Sequence, residues 1–167
     1  MEMGMIDLAA RAGELLKAHG LMLATAESCT GGLIAGTITE IAGSSSWFER
    51  GFVTYSNQSK MDMLGVALET LQQHGAVSEA TVREMVNGAL QHSQAQCALA
   101  VTGVAGPGGG TLAKPVGTVW FAWGLKQGET AAVMHRLDGD RKTIRQQSVC
   151  IALQGLLPLL LNYSEVV

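Results

Sequence analysis

The chain has 167 residues, of which 47% are hydrophobic and 15% are charged. This length suits one domain with a sizeable core, and the composition excludes a disordered chain. The net charge is −3 and no run of Lys and Arg occurs, so the electrostatic footprint of a nucleic-acid-binding protein is missing. We therefore expect one domain over residues 1–167 and no nucleic-acid partner.

The cysteines and the apolar tracts indicate a cytoplasmic protein. Three cysteines, at positions 29, 97 and 150, are odd in number and far apart, which argues against a disulfide framework and a zinc cluster. The start MEMGMIDLAARAGELL lacks the cationic residues and continuous apolar core of a signal peptide. The apolar tracts fall short of a membrane span. The low charge density favours a homodimer.

The first third of the chain predicts a helix, a strand and a second helix. Over residues 5–19 the apolar side chains recur at helical spacing, and Gly20 ends this helix. The run LMLATA (21–26) has no polar face, as in a strand that is buried on both sides. Residues 31–41 are mostly small and predict a helix that packs closely on a sheet.

The middle of the chain predicts a loop, a short strand and two helices. The loop AGSSSWFERG covers residues 42–51, and FVTYS (52–56) is rich in strand-forming residues. The helix after this strand ends at Gly65. A serine N-cap starts the second helix, over 78–92.

The last third predicts three strands and a helix, in chain order 97–103, 116–124, 130–137 and 141–161. The Gly/Pro-rich loop 104–115, about a dozen residues long, is long enough to suggest a function. The second and third of these strands are joined by LKQGE and predict a hairpin. Asp140 caps the helix, and Pro158 is expected to end or kink it before residue 161.

This element order predicts an α/β fold, a single layered α/β/α domain with a mixed, mainly parallel central sheet and the hairpin toward one edge. Polar clusters follow three of the predicted strands: AESCTGG, TYSNQSK and TGVAGPGGG. In layered α/β folds, ligands collect beyond the carboxyl ends of the strands. We therefore expect the three clusters to meet at one rim of the sheet.

The AESCTGG cluster has two interpretations. Ser28 or Thr30 is a preferred N-cap, which makes the stretch an ordinary helix start with two glycines for close packing. Alternatively, Ser28 is a nucleophile at a strand-to-helix turn, although the string does not match G-x-S-x-G. Cys29 is a rival nucleophile, because a helix N-terminus lowers the pKa of a thiol. Glu27 either orients a base or substrate amide, or bonds to nearby backbone.

A nucleophilic serine needs a base, and lysine is a better candidate here than histidine. No histidine lies in a strand-end cluster, so a Ser–His–Asp triad has little support; the four are His19, His74, His92 and His135. TYSNQSK offers Tyr55 and Lys60 instead. A lysine that is shielded from water can lose its proton near neutral pH. The alternative is a surface lysine beside a half-buried tyrosine.

The third cluster packs five glycines and one proline into residues 102–110. Its backbone N–H groups could approach a phosphate or carboxylate, or the segment could be a plain connector. Its spacing fits neither G-x-x-x-x-G-K-[ST] nor a Rossmann G-x-G-x-x-G, so ATP and NAD cofactors are not expected. Arg141 and Arg145 share one helical face, where they either pair with Asp138 and Asp140 or bind a phosphate. No metal-ligand spacing occurs.

Five strings together resemble the CinA C-terminal domain family in matching order from about residue 5 to residue 160: LATAESCTGGLIAGTIT, AGSSSWFERGFVTYSNQSKMDMLGV, HGAVSEATV, AVTGVAGPGGGTLAKPVGTVW and GDRKTIRQQSV. Stand-alone members of that family are nicotinamide-nucleotide amidases. The resemblance implies hydrolysis of nicotinamide mononucleotide (NMN) to nicotinate mononucleotide and ammonia. It also implies a homodimer and no cofactor. The alternative is a nucleotide-binding or regulatory module of the same fold that does no chemistry.

The resemblance also implies roles for individual residues. The family's serine, tyrosine and lysine fall on Ser28, Tyr55 and Lys60, and Lys60 is expected to take the Ser28 proton. The residues expected to bind the substrate are Glu27, Thr30, Gly31, Gly32, Thr102, Gly103, Ala105, Gly106, Arg141 and Arg145. Trp47 or Phe48 is expected to stack on the pyridinium ring. Ala42 stands where the family usually has proline, with no evident chemical consequence.

Overall fold

A computed structural model describes residues 3–164 and contains one five-stranded sheet between two layers of helices. The strands are β1 Leu23–Glu27, β2 Phe48–Val53, β3 Cys97–Gly103, β4 Thr118–Leu125 and β5 Thr130–Arg136. The helices are α1 Met5–His19, α2 Leu33–Thr39, α3 Asn57–Leu64, α4 Leu68–His74, α5 Glu79–Gln91, α6 Arg141–Gln154 and α7 Leu156–Leu161. A single 3₁₀ turn, Ser44–Ser46, precedes β2.

The sheet is mixed, with strand order β2-β1-β3-β4-β5. Strand β1 pairs in parallel with β2 and with β3, and the antiparallel hairpin β4–β5 closes the other edge. The α/β class, the mixed sheet and the position of the hairpin are therefore confirmed. Because β1, β2 and β3 are parallel neighbours, the segments that follow them leave the sheet at the same rim.

Alternating side chains of the buried strands divide the core into two halves. On β1, Leu23 packs into one half, which contains α1, α2, α6 and α7, while Ala24 and Ala26 pack into the other half, beneath α3 to α5. This alternation is the period of two that a strand imposes. The sheet is covered on both faces, which explains why β1 and β3 read as apolar runs without a polar side.

The predicted elements are largely confirmed, and the differences have local causes. Helix α1 has the predicted bounds, and Gly20 ends it in the left-handed conformation with φ of 66°. The prediction of a loop over 42–51 is wrong from Phe48 onward, because β2 begins there. This edge strand carries a half-buried Glu49 and an exposed Arg50, so it lacks the apolar pattern of a central strand. Helix α4 was not predicted, because only Leu71 of its seven residues is buried.

The last helix is interrupted at Gly155, three residues before Pro158, and resumes as α7 to Leu161, so of the two predicted outcomes it is interrupted and does not end early. The proline ring would clash with the carbonyl of Gln154, four residues earlier. The Trp123 indole lies against Gly155 and donates from Nε1 to the Ala152 carbonyl at 2.8 Å. By length and a mean hydropathy of 1.2, the stretch 141–161 could cross a membrane, which the apolar tracts had not suggested. It packs on α1 as a core element.

Candidate active site

The three predicted clusters meet at the carboxyl rim of β1, β2 and β3, as expected, and surround a cavity of about 330 Å³. The cavity lies where α/β folds bind ligands. Its lining residues are Ser28, Cys29, Tyr55, Asn57, Lys60, Ala76, Val77, Thr102, Gly103, Val104, Ala105, Gly106, Gly108, Gly109 and Arg141. In the part of the chain that the structure describes, no Asp or Glu belongs to this lining, so its only charged groups are cationic.

Ser28 and Lys60 form a buried pair in this cavity. The Lys60 side chain is 1% exposed, and its Nζ lies 2.9 Å from Ser28 Oγ. The same nitrogen donates to the carbonyl oxygens of Thr54, at 2.8 Å, and Tyr55, at 3.4 Å. A neutral amine has two N–H bonds and one lone pair. When the two carbonyls accept the N–H bonds, the lone pair is left for the Ser28 hydroxyl proton.

The start of α3 places Lys60 on its buried face. Ser56 is the N-cap: its Oγ accepts the Ser59 N–H at 3.0 Å, and the Ser59 hydroxyl accepts the Ser56 N–H at 3.1 Å. This capping box fixes where the helix begins. Lys60 is then the fourth helical residue and shares the buried face with Leu64. The alternative reading of a surface lysine is wrong.

Burial lowers the pKa of Lys60 from 10.5 to about 8, an effect that the nearby Cys29 thiol opposes only in part. Removing an ammonium from water disfavours its charged form, and no carboxylate of residues 3–164 lines the cavity to compensate. A lysine with a pKa near 8 can act as a general base at neutral pH.

Cys29 is the weaker nucleophile of the two neighbours. Its side chain is 6% exposed, and burial raises the pKa of the thiol from 9.0 to about 11. Its own backbone, Lys60 and Arg145 lower that pKa, but by less than burial raises it. The thiolate is the reactive form of cysteine, so little reactive Cys29 exists near neutral pH. These surroundings favour Ser28.

Arg141 and Tyr55 bridge the mouth of the cavity. Arg141 donates from Nη1 to the Gly106 carbonyl at 2.7 Å and from Nη2 to the Tyr55 hydroxyl at 3.0 Å. Tyr55 is 63% exposed, so its ring stands at the entrance rather than beside the buried amine. Arg141 thus connects the segment after β2 with the Gly/Pro-rich loop and presents its guanidinium to the cavity.

Glu27 bonds to nearby backbone, one of the two predicted alternatives. Its carboxylate is fully buried and accepts the N–H groups of Ile34, at 2.8 Å, and Ala35, at 3.1 Å. These N–H groups belong to the first turn of α2, where a carboxylate satisfies unpaired donors. Glu27 does not line the cavity, and its role in substrate binding stays a prediction.

Four other residues of the predicted site do not line the cavity: Thr30, Gly31, Gly32 and Arg145. Thr30, Gly31 and Gly32 form the turn from β1 to α2, and both glycines have positive φ, 58° and 101°. Only glycine adopts such angles without strain. Arg145 reaches this turn from α6 and donates from Nε to the Cys29 carbonyl at 3.1 Å and from Nη2 to the Thr30 carbonyl at 3.3 Å.

The predicted residues of the third cluster all line the cavity: Thr102, Gly103, Ala105 and Gly106. The Thr102 hydroxyl is engaged, because it donates to the Ala76 carbonyl at 2.9 Å. Gly103 is required by packing, since a Cβ there would come within 2.7 Å of Val119 and 2.9 Å of the Thr118 carbonyl. This close approach brings the loop against β4 and leaves its backbone facing the cavity.

The stacking role expected for Trp47 is wrong. Its side chain is 4% exposed, packs in the core against Gly13 of α1, and does not line the cavity. Phe48 packs against the same core. Of the other aromatic rings, His19 contacts Tyr163 and His135 contacts Phe121. Within residues 3–164, no three His, Cys, Asp or Glu side chains gather as metal ligands.

The sequence did not predict three residues of the lining, Asn57, Ala76 and Val77, or the Thr54 carbonyl that holds Lys60. Asn57 lies inside TYSNQSK, so its place at a strand end was a usable signal. Ala76 and Val77 follow α4, which was itself not predicted. A backbone carbonyl has no side-chain signal, so Thr54 could not be found from residue types.

Together these features define an α/β domain with a buried serine–lysine pair at the carboxyl rim of a mixed sheet, an arrangement suited to acyl transfer through a covalent intermediate. The family model described as the CinA C-terminal domain matches residues 5–160. The chain belongs to that family, and the resemblance in the sequence analysis is confirmed.

Individual relatives agree with this assignment. The chain is 53% identical over 152 residues to the nicotinamide-nucleotide amidohydrolase PncC of Escherichia coli strain K12, covering 91% of this chain and 92% of that protein. A protein of the same name from Pseudomonas putida is 53% identical over 152 residues, covering 91% and 94%. The crystal structure of the competence/damage inducible protein CihA from Agrobacterium tumefaciens matches with a TM-score of 0.90 and 50% identity, covering 95% of this chain and 99% of that chain.

Proposed function

We propose that this chain hydrolyses the carboxamide of NMN to give nicotinate mononucleotide and ammonia, a reaction of pyridine nucleotide recycling. The name shared by its 53% identical relatives supports the substrate. The observation that carries the proposal is the buried contact of 2.9 Å between Ser28 Oγ and Lys60 Nζ inside the cavity. A nucleophile within hydrogen-bond reach of a base is the arrangement that covalent amide hydrolysis requires.

In the first half of the reaction, neutral Lys60 takes the hydroxyl proton of Ser28, and Oγ attacks the carboxamide carbon. The carbonyl oxygen of the substrate becomes an oxyanion in a tetrahedral intermediate. When this collapses, the C–N bond breaks, the Lys60 ammonium returns its proton to the departing nitrogen, and ammonia leaves. In the second half, Lys60 takes a proton from water, the hydroxide attacks the Ser28 ester, and the proton returns to Oγ as the acid leaves.

The oxyanion needs N–H donors beside Ser28, and the turn that follows offers them. Within residues 3–164, the N–H groups of Cys29, Thr30 and Gly32 donate to no backbone carbonyl outside the regular helices and strands, whereas that of Gly31 donates to the Ser28 carbonyl at 3.0 Å. Cys29 lines the cavity and directly follows the nucleophile, so its N–H is our first choice. The predicted participation of Thr30, Gly31 and Gly32 is retained as a weaker alternative.

The phosphate of NMN is assigned to the mouth of the cavity. Arg141 presents a guanidinium there, and a planar guanidinium matches phosphate oxygens bidentately. Its present partners are neutral, the Gly106 carbonyl and the Tyr55 hydroxyl, so a doubly charged phosphate would compete well for it. Backbone from Gly103 to Gly106 supplies further contacts, and Tyr55 stands where it can close over the substrate. The single-domain organisation, the homodimer and the cytoplasmic location stay predictions.

The test is ammonia release from NMN in the presence of a chelator, with the product mass measured. Wild type should convert the amide to the acid, Ser28→Ala should lose the activity, and Cys29→Ala should keep most of it. Loss in Cys29→Ala with activity in Ser28→Ala would assign the thiol as nucleophile instead. If wild type binds NMN in a calorimeter but releases no ammonia, the chain is a nucleotide-binding module and the proposal is wrong.

A further inference from the structure

Backbone hydrogen bonds hold the two ends of the turn that contains Ser28, residues 28–30. The Ser28 N–H donates to the Val101 carbonyl at 3.0 Å, and the Ser28 carbonyl accepts the Gly31 N–H at 3.0 Å. The Thr30 carbonyl accepts the Leu33 N–H at 3.0 Å. Backbone partners alone therefore hold the turn at both ends, but none of them reaches its middle.

Arg145 holds the middle of this turn. Within residues 3–164, the Cys29 carbonyl accepts one donor, the Arg145 Nε at 3.1 Å, and the Thr30 carbonyl accepts Arg145 Nη2 at 3.3 Å in addition to the Leu33 N–H. Arg145 is the one side chain, within the described residues 3–164, that binds a carbonyl of residues 28–30. Its guanidinium lies so close to Gly31 that a Cβ there would come within 3.3 Å of Nη2.

Arg145 and Arg141 share one face of α6 but act in different places. Arg141 lines the cavity, whereas Arg145 does not and instead donates to the backbone carbonyls of Cys29 and Thr30. It makes no ion pair within residues 3–164, so its full charge is directed at the turn. Both arginines were predicted to bind substrate, but this arrangement favours substrate binding by Arg141 alone.

We propose that Arg145 is a positioning residue for the Ser28 nucleophile and contributes to catalysis without contacting the substrate. The proposal rests on the proposed amidase function. In a trans peptide, C=O and N–H point in opposite directions, so fixing the Cys29 carbonyl also fixes the Thr30 N–H, which donates to no backbone carbonyl of residues 3–164. A cation on the carbonyl polarises the peptide and strengthens that N–H as a donor. Arg145 thus sets both the path of the Ser28 backbone and the donor direction beside it.

The experiment compares Arg145→Ala, Arg145→Lys and Arg141→Ala in steady-state NMN hydrolysis. For Arg145→Ala we expect kcat to fall about 10²-fold with KM nearly unchanged, because a shift of about 1 Å in a reacting group costs that much. The kcat of Arg145→Lys should fall less, since a lysine ammonium can replace only part of the hydrogen bonding that the two guanidinium nitrogens give to the Cys29 and Thr30 carbonyls. Guanidinium added to Arg145→Ala should restore part of kcat. Arg141→Ala should raise KM instead.

Hydrogen exchange of the peptide that covers residues 27–33 gives a second readout, independent of activity. Exchange should be faster in Arg145→Ala and unchanged in Arg141→Ala. An Arg145→Ala variant with normal kcat, or with a raised KM at normal kcat, overturns the proposal. So does unchanged exchange in that peptide. If Arg145→Ala does not fold, Arg145→Lys decides alone through its kcat. A wild type that releases no ammonia refutes the amidase function, while the exchange measurement still tests whether Arg145 holds the turn.

Discussion

The rate of NMN hydrolysis should rise with pH as Lys60 loses its proton. Burial lowers the pKa of Lys60 to about 8, and only the neutral amine has a lone pair for the Ser28 proton. A group with this pKa is about 9% neutral at pH 7 and about 91% neutral at pH 9. We therefore expect kcat/KM to increase about tenfold between these pH values and to level off above them.

The assay is ammonia release at subsaturating NMN, measured in half-unit steps of pH. The phosphate of NMN has its second pKa near 6, so it is already doubly charged above pH 7 and adds no titration of its own. Lys60→Met should be slower by a factor of about 10² or more, the usual contribution of a general base, and should not show the rise. The matched control is Lys17→Met, which removes an exposed lysine of α1 and should follow the wild-type curve.

Two results would refute this reasoning. A wild-type profile that is flat from pH 7 to pH 9 would mean that no base with a pKa near 8 limits the reaction. A Lys60→Met variant that keeps the same rise would mean that another group supplies it. Circular dichroism at both pH values separates these outcomes from unfolding.

Two further predictions concern binding and packing. Arg141→Ala should raise the KM for NMN at least tenfold with little change in kcat, as the loss of a charged hydrogen bond of about 1.5–3 kcal/mol requires; an unchanged KM would place the phosphate elsewhere. Gly88→Ala should lower the free energy of unfolding in urea by about 1–3 kcal/mol, since its Cβ would lie 1.9 Å from the Leu64 carbonyl oxygen. The control is Gly36→Ala in α2, where the added Cβ would meet no atom within 4 Å beyond the neighbouring residues and the backbone of its own helix. This substitution should raise the free energy of unfolding by about 0.5–1 kcal/mol. Equal urea midpoints for the two variants would contradict the close approach of α5 to α3.

The sequence predicted those parts of the fold that depend on local pattern. Helix α1 and strand β3 have the predicted bounds, because helical spacing, a terminating glycine and an apolar run each act over a few residues. The meeting of three clusters at one rim followed from parallel strands alone. Nothing local joins Ser28 and Lys60, which lie 32 residues apart. They could be named as candidate partners because their clusters follow neighbouring parallel strands, and the family resemblance then gave each of them a role.

The parts that the sequence did not predict depend on long-range contacts. Arg141 and Arg145 look equivalent in GDRKTIR, yet Arg141 lines the cavity and Arg145 binds the turn that contains Ser28, about one helical turn further along α6. Glu27 was expected to bind substrate, but its carboxylate accepts N–H groups of the first turn of the helix that follows. Trp47 looked exposed in a polar loop, but the absence of a side chain at Gly13 lets its ring enter the core.

The burial of Lys60 also has a consequence for the stability of the protein. Its pKa is lower in the folded chain, about 8, than the ordinary value of 10.5, so the unfolded chain binds more protons between these pH values. Stability therefore increases as pH rises through this window, and below about pH 8 the cost of burying the ammonium is fully present. The fold maintains its own reactive base at the expense of its stability. Selection for stability alone would replace Lys60 by an uncharged side chain of similar length. The free energy of unfolding would then increase, and the general base would be lost.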